Sequence, residues 1–131
     1  MIVDSSAIIA LIREEEDAPA FARALLGTTL VRMSAATLVE ISVVLDRSRE
    51  PADGRRIDEI LRAAGIRIEP VDAEAAQIAR AAHRDFGRGS GHPARLNFGD
   101  CFSYALAKQT GEPLLYKGDD FAHTDIRSAL D

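Results

Sequence analysis

The alternation of short β-rich segments with helical segments constrains the fold of this chain more than any other feature. β-rich segments begin at Met1, Thr28, Ile66 and Pro113, and runs with the apolar spacing of helices lie between them. Short strands separated by helices are typical of a parallel sheet covered by helices. The sequence therefore predicts an α/β fold, a three-layer α/β/α sandwich with a short-stranded parallel central sheet. Residues 124–126 are expected as a last edge strand.

Length and composition favour a single domain over residues 1–131. Hydrophobic residues make up 47% of the chain and charged residues 28%, which is typical of a globular protein in water. The longest apolar run, residues 7–12, is too short for a membrane span or a signal peptide. We therefore expect a cytoplasmic protein with no membrane association.

Charge and cysteine content exclude several kinds of site. The net charge of −5 argues against a general electrostatic grip on nucleic acid, although it leaves room for a local basic rim. The single cysteine, Cys101, excludes an intrachain disulfide and a cysteine-based zinc site. Its helical surroundings favour a small core residue over a nucleophile.

The segment 96–107 has the pattern of a helix start. Asn97 is a suitable N-cap, and Asp100 then falls at the third helical position, where a carboxylate favours the positive end of the helix dipole. Phe98, Cys101 and Phe102 follow the spacing of a buried helical face. Asp100 is therefore either a capping-box residue or a functional carboxylate beside the core.

Acidic residues fall where a parallel sheet would gather them. Asp4 ends the first strand, Asp119 and Asp120 follow the fourth, and Asp100 opens a helix. Ligands of open parallel sheets bind in the crevice outside the carboxyl ends of the strands. Glu40 projects towards the same edge from the second turn of the helix after strand two, among valines and isoleucine, where an unpaired carboxylate is costly. The sequence predicts that these acids meet at one site.

Carboxylates gathered in this way need a proton or a cation. Their mutual repulsion is on the order of several kcal/mol at an effective dielectric constant of about 20. Oxygen ligands select hard ions, so Mg²⁺ or Mn²⁺ is expected, with water and substrate phosphate completing the coordination shell. Such an ion equips a site to hydrolyse phosphodiesters. The structural alternative is that each acid is only a helix cap or a turn residue.

Four motifs together resemble the PIN-domain ribonucleases of the VapC type, the toxins of type II toxin–antitoxin pairs. The resemblance covers the whole chain and implies a PIN-like version of the predicted sandwich. The motifs are residues 2–7 (IVDSSA), 34–40 (SAATLVE), 96–102 (LNFGDCF) and 114–121 (LLYKGDDF).

The resemblance also implies roles for the acids. Asp4 and Asp100 would ligate Mg²⁺, with Mn²⁺ as a substitute, and Glu40 would help to bind the ion or orient the attacking water. No other cofactor is implied. The fourth acid of the family usually follows the last inner strand and lies within a Thr/Ser-x-Asp pattern, which residues 116–118 replace in this chain. Asp119 is our choice for that role, with Asp120 as the alternative.

The resemblance further implies a role for one serine hydroxyl, a class of substrate and two partners. Ser6 matches the family's hydroxyl beside the first acid, where it would bond a carboxylate or water. The substrate would be single-stranded or structured RNA, such as a tRNA or rRNA loop, and the partners a second copy of the chain and a VapB-like antitoxin. The residues themselves offer Arg88, His92, Arg95 and Lys117, on segments near the predicted site, as contacts for RNA phosphates. The alternative is that they are only solvated loop and helix charges.

Two rival functions remain at the level of sequence. A non-catalytic PIN-like interaction module would bind a protein without cleaving anything, but it has no reason to keep mutually repelling acids. A receiver-like phosphoacceptor would need an acid pair after the first strand, where Asp4 stands alone, and a phosphorylatable Asp at the end of a central strand.

Overall fold

The computed structural model describes residues 1–131 and places four parallel strands at its centre. The strands lie in the order β3-β2-β1-β4. Their bounds are β1 (Ile2–Val3), β2 (Arg32–Ser34), β3 (Arg67–Glu69) and β4 (Leu114–Leu115). Six helices connect them: α1 (Ser5–Ile12), α2 (Ala18–Leu26), α3 (Ala35–Asp46), α4 (Pro51–Ala63), α5 (Ala73–Phe86) and α6 (Asp100–Thr110). The predicted α/β fold with a parallel sheet is confirmed.

The strand order changes direction beside β1. Ile2 is in register with Arg32 on one neighbour and with Leu114 on the other. The chain moves from β1 to β2 on one side and reaches β4 on the opposite side, so the direction of winding changes between β1 and β4. Ligand crevices of open α/β sheets form at such switch points. Asp4, whose N–H donates to Leu115 O over 2.9 Å, lies there.

Successive residues of β1 and of β4 face opposite cores, as the pleat of a strand requires. Val3 and Leu115 pack into a core with helices α1 to α4, whereas Ile2 and Leu114 pack into a second core with α5 and α6. All four side chains are completely buried. This explains why β1 and β4 consist of apolar residues only, since both faces of the sheet are covered there.

Helix starts follow local chemistry. Asp4, Ser34 and Asp72 cap α1, α3 and α5 through side-chain oxygens that accept backbone N–H groups. Helix α4 begins at Pro51, because proline is well suited to the first helical position.

The last segment of the chain differs from expectation. Residues 124–126 form no strand; a 3₁₀ helix, Phe121–His123, and a single bridge between Leu114 and Ser128 occupy this region. None of the helices has both the length and the apolar character that crossing a membrane requires.

Candidate active site

Asp4 is a buried carboxylate at the end of β1, with 1% of its surface exposed. Its Oδ2 accepts hydrogen bonds from Ser6 N–H at 3.1 Å and from the Ser6 hydroxyl at 2.7 Å. Its Oδ1 accepts the Ser103 hydroxyl at 2.5 Å. The side chain is therefore held from both oxygens and has a fixed orientation.

Asp100 is the first residue of α6, and a capping box surrounds it. Asp100 N–H donates to Asn97 Oδ1 at 2.8 Å, and Asn97 N–H donates to Asp100 Oδ2 at 2.9 Å. Burial raises the pKa of Asp100 to about 7; the Asn97 bond opposes this rise, and the charges of Asp4, Asp120 and Glu40 add to it. Asp100 therefore both caps its helix and has a raised pKa, which is typical of residues at functional sites.

Glu40 reaches the same place from the second turn of α3. Burial raises its pKa; the Ser5 hydroxyl lowers it and the charge of Asp4 raises it further. Its Oε1 is buried and has no hydrogen-bond partner. Its Oε2 lies against the Cα of Gly99, the residue before Asp100. A buried, unpaired carboxylate oxygen is costly, so this atom is suited to a water or an ion.

Of the two acids after β4, Asp120 is the one whose charge adds to the raised pKa of Asp100. Asp120 raises the pKa of Asp100, whereas Asp119 contributes to the raised pKa of Tyr116, which is due first to burial. Both side chains are exposed. The assignment of the fourth acid to Asp119 stays a prediction.

The geometry suits a metal ion held by few protein ligands. No three acidic, histidine or cysteine side chains converge closely enough to cage an ion by themselves. Mg²⁺ usually keeps several waters and binds through one or two carboxylates, so a full cage is not required. The charge of Asp4 adds to the raised pKa of Asp100, and the unpartnered Glu40 Oε1 is the further oxygen available to a bound water. These residues fit Mg²⁺.

The predicted RNA-contacting residues differ in exposure and in whether another side chain already pairs with them. Arg88 and Arg95 are exposed, and neither forms an ion pair. Lys117 pairs with Glu15 and, at 3.1 Å, with Asp17. His92 is half-buried, and its Nδ1 accepts the N–H of residue 94. Lys117 would have to exchange its partners to bind a phosphate.

Sequence reasoning missed two buried hydroxyls and misplaced one aromatic ring. Ser103 contacts Asp4, and Thr37 lies 3.2 Å from Ser103. The only available signal was the position of Ser103 three residues after Asp100, on the same helix face. Phe98 was expected in the core but is 77% exposed, because it precedes the first turn of α6 instead of belonging to it.

An apolar groove of about 710 Å³ adjoins the acids. Phe98 stacks edge-on against Phe102, with ring centroids 5.0 Å apart, and both line the groove. Val39 and Val43, which are 61% and 48% exposed, line it from α3, together with Glu40. These exposed apolar side chains lie together in one groove instead of being scattered over the surface, which is typical of a binding site.

Comparison with known proteins agrees with this arrangement. A family model described as the PIN domain matches residues 1–127. Ribonuclease VapC28 of Mycobacterium tuberculosis is 56% identical over 131 residues, covering 100% of this chain and 98% of the relative. The chain belongs to the VapC family of PIN-domain ribonucleases. The resemblance stated from the four motifs is thereby confirmed.

Other VapC proteins support the same assignment. Ribonuclease VapC42 of M. tuberculosis is 53% identical over 129 residues, with 98% of each chain covered. The crystal structure of M. tuberculosis VapC20, described as a Sarcin-Ricin loop cleaving toxin, superposes with a TM-score of 0.71 over 95% of each chain. At 20% identity, this second likeness concerns the fold alone.

Proposed function

We propose that this VapC-family protein is a magnesium-dependent endoribonuclease toxin that hydrolyses phosphodiester bonds in RNA. The observation that carries the proposal is that Asp4 adds its charge to the raised pKa of both Glu40 and Asp100, and that Glu40 adds its charge to the raised pKa of Asp100. Asp4 follows β1, Glu40 lies on α3 and Asp100 begins α6. Groups with perturbed pKa values that converge in this way are typical of catalytic sites.

The protein side chains divide the work. Asp4 and Asp100 would hold Mg²⁺, and Mn²⁺ would replace it. A bound divalent ion supplies positive charge that offsets the carboxylates, the scissile phosphate and the departing oxygen. Glu40 would accept a hydrogen bond from the attacking water through its free Oε1, which aligns the water with the phosphorus atom. Ser6 would keep Asp4 in position through its two bonds to Oδ2.

The substrate proposal is a single-stranded or structured RNA loop, such as one in tRNA or rRNA. The ribonuclease names of the relatives support RNA as the substrate class. Arg88 and Arg95 are cations without an ion pair and would contact phosphates, and His92 and Lys117 are the other two contacts that we propose. Asp119 remains our choice for the fourth acid.

The partners we propose are a second copy of this chain and a VapB-like antitoxin that neutralises the toxin in the cytoplasm. The exposed apolar groove supports protein binding, since Val39, Val43 and Phe98 would otherwise face water. We assign these three residues to the homodimer. The antitoxin would act by covering the acids.

The test is cleavage of a mixed RNA ladder by purified protein in Mg²⁺. We expect endonucleolytic products that disappear with EDTA and return with excess Mg²⁺ or Mn²⁺. Asp4→Asn, Asp100→Asn and Glu40→Gln should each abolish cleavage, whereas Asp58→Asn, an exposed acid of α4, should not. Cleavage that persists in EDTA or in Asp4→Asn contradicts the proposal. An inert wild type that still dimerises favours the non-catalytic interaction module.

A further inference from the structure

Two buried hydroxyl groups, those of Ser103 and Thr37, form a chain of contacts that leads to Asp4. Ser103 and Thr37 have 0% and 1% of their surfaces exposed. Ser103 Oγ lies 2.5 Å from Asp4 Oδ1 and 3.2 Å from Thr37 Oγ1. The three residues come from α6, α3 and the end of β1, so the contact exists only in the folded chain.

The hydrogens in this group can be arranged in one direction only. A metal-binding carboxylate is deprotonated and accepts hydrogen bonds without donating any. The Ser103 hydroxyl therefore gives its single hydrogen to Asp4 Oδ1. Thr37 must then be the donor to Ser103, which makes a chain that runs from Thr37 through Ser103 to Asp4. Each donor along such a chain strengthens the next bond.

The other oxygen of Asp4 is held by a second chain. Lys117 N–H donates to Ser6 Oγ at 2.9 Å, and the Ser6 hydroxyl and N–H both donate to Asp4 Oδ2. Oδ2 thus accepts two hydrogen bonds, whereas Oδ1 accepts only the bond from Ser103. Since each carboxylate oxygen offers about two acceptor sites, Oδ1 is the oxygen with one site left.

We infer that Ser103, oriented by Thr37, is a positioning residue that sets the angle of the Asp4 carboxylate and reserves the free acceptor site of Oδ1 for the metal ion. The inference rests on the proposed function. Hydrogen-bond partners of metal ligands typically change metal affinity by about 10- to 100-fold when they are removed. A hydroxyl that merely fills space in the core would instead change folding stability alone.

The experiment compares metal affinity with folding stability in matched variants. Ser103→Ala removes the donor to Asp4, and Ser42→Ala is its control, because the Ser42 hydroxyl bonds only Leu38 O in the same helix. Mn²⁺ affinity is measured by calorimetry, and stability by urea unfolding in EDTA. We expect Ser103→Ala to lose about 10- to 100-fold in Mn²⁺ affinity, with kcat recovered at high metal and the KM for RNA unchanged. Ser42→Ala should bind Mn²⁺ as the wild type does.

A second pair of variants tests the direction of the chain and covers the case in which Ser103→Ala does not fold. Thr37→Val keeps the shape but removes the hydroxyl and should weaken Mn²⁺ binding, while Thr37→Ser should restore it. In the Ser103→Ala background, Thr37→Val should have no further effect on affinity. Unchanged Mn²⁺ affinity in Ser103→Ala or Thr37→Val, beside a wild type that binds Mn²⁺, overturns the positioning role and leaves the proposed function standing. A wild type that binds no divalent ion overturns both.

Discussion

The Cα atom of Gly99 lies directly against the carboxylate of Glu40. A Cβ at position 99 would stand 1.5 Å from Glu40 Oε2 and 2.8 Å from Oε1, although the backbone of Gly99 is in an ordinary helical conformation. The glycine is required for space and not for its backbone freedom. Its absence of a side chain lets α3 and the start of α6 bring two acids together.

Gly99→Ala should therefore damage catalysis more than folding. The added methyl would displace the Glu40 carboxylate, and a displacement of about 1 Å in an active site costs on the order of 100-fold in rate. Stability should change little, because the clashing group is the end of a flexible side chain. RNA cleavage and urea unfolding measure the two effects. Gly54→Ala is the control, since a Cβ there meets nothing within 4 Å; equal activity of the two variants would contradict this role of Gly99.

Metal-free protein should lose stability as pH rises from about 4 to 7. The folded-state pKa of Asp100 is raised from 3.8 to about 7, so in this range the native protein keeps a proton that the unfolded chain has released. The penalty is complete above pH 7 and absent below pH 4. Asp100→Asn, which carries no charge, should be more stable than the wild type by roughly 2–4 kcal/mol at pH 8, with the difference vanishing near pH 4. Urea unfolding in EDTA at several pH values measures this; a constant difference would contradict it.

Mg²⁺ affinity should depend on pH over the same range. The metal binds the deprotonated carboxylate, so a proton on Asp100 competes with it below pH 7. We expect the Kd to rise about tenfold for each pH unit below 7 and to level off above it. Calorimetry with Mn²⁺ between pH 5.5 and 8 provides the measurement. An affinity that does not vary with pH would show that Asp100 is not a ligand or does not hold a proton.

If the apolar groove forms the dimer interface, a charge placed in the groove should weaken self-association. Val43→Lys places an ammonium among Val39, Phe98 and Phe102 and should weaken self-association by about tenfold or more. Light scattering across a concentration series measures the change. Val71→Lys is the matched control, since Val71 is also partly exposed, at 37%, but does not line the groove. Equal association of both variants would remove this surface from the interface.

The sequence predicted those features that depend on local pattern. Helix α5, Ala73–Phe86, begins after Asp72 and ends before Gly87, and both are residue types that mark helix ends in a sequence. The capping box of Asn97 and Asp100 was likewise predicted from their spacing. Phe98 was wrongly placed in the core, since helical spacing was extended one turn before the helix begins.

Contacts across the chain were beyond the reach of pattern alone. Ser103 and Thr37 are 66 positions apart, and serine and threonine in a helix are ordinarily solvent-facing or bonded to their own backbone. Only the packing of α3 against α6 shows that they meet behind Asp4. Pattern alone could not decide between Asp119 and Asp120 either, because the two are adjacent after β4 and their side-chain directions depend on the turn.

Asp4 serves two purposes, since it caps α1 through its bond to Ser6 N–H and also belongs to the acidic cluster. Asparagine caps helices about as well as aspartate, whereas alanine at such a position costs about 1 kcal/mol. An inert form of this protein for trapping RNA or isolating a protein partner should accordingly carry Asp4→Asn, which on our proposal would disable the chemistry while sparing the helix. Asp4→Ala would confound the two, and an apparent loss of toxicity in that variant would partly report poorer folding.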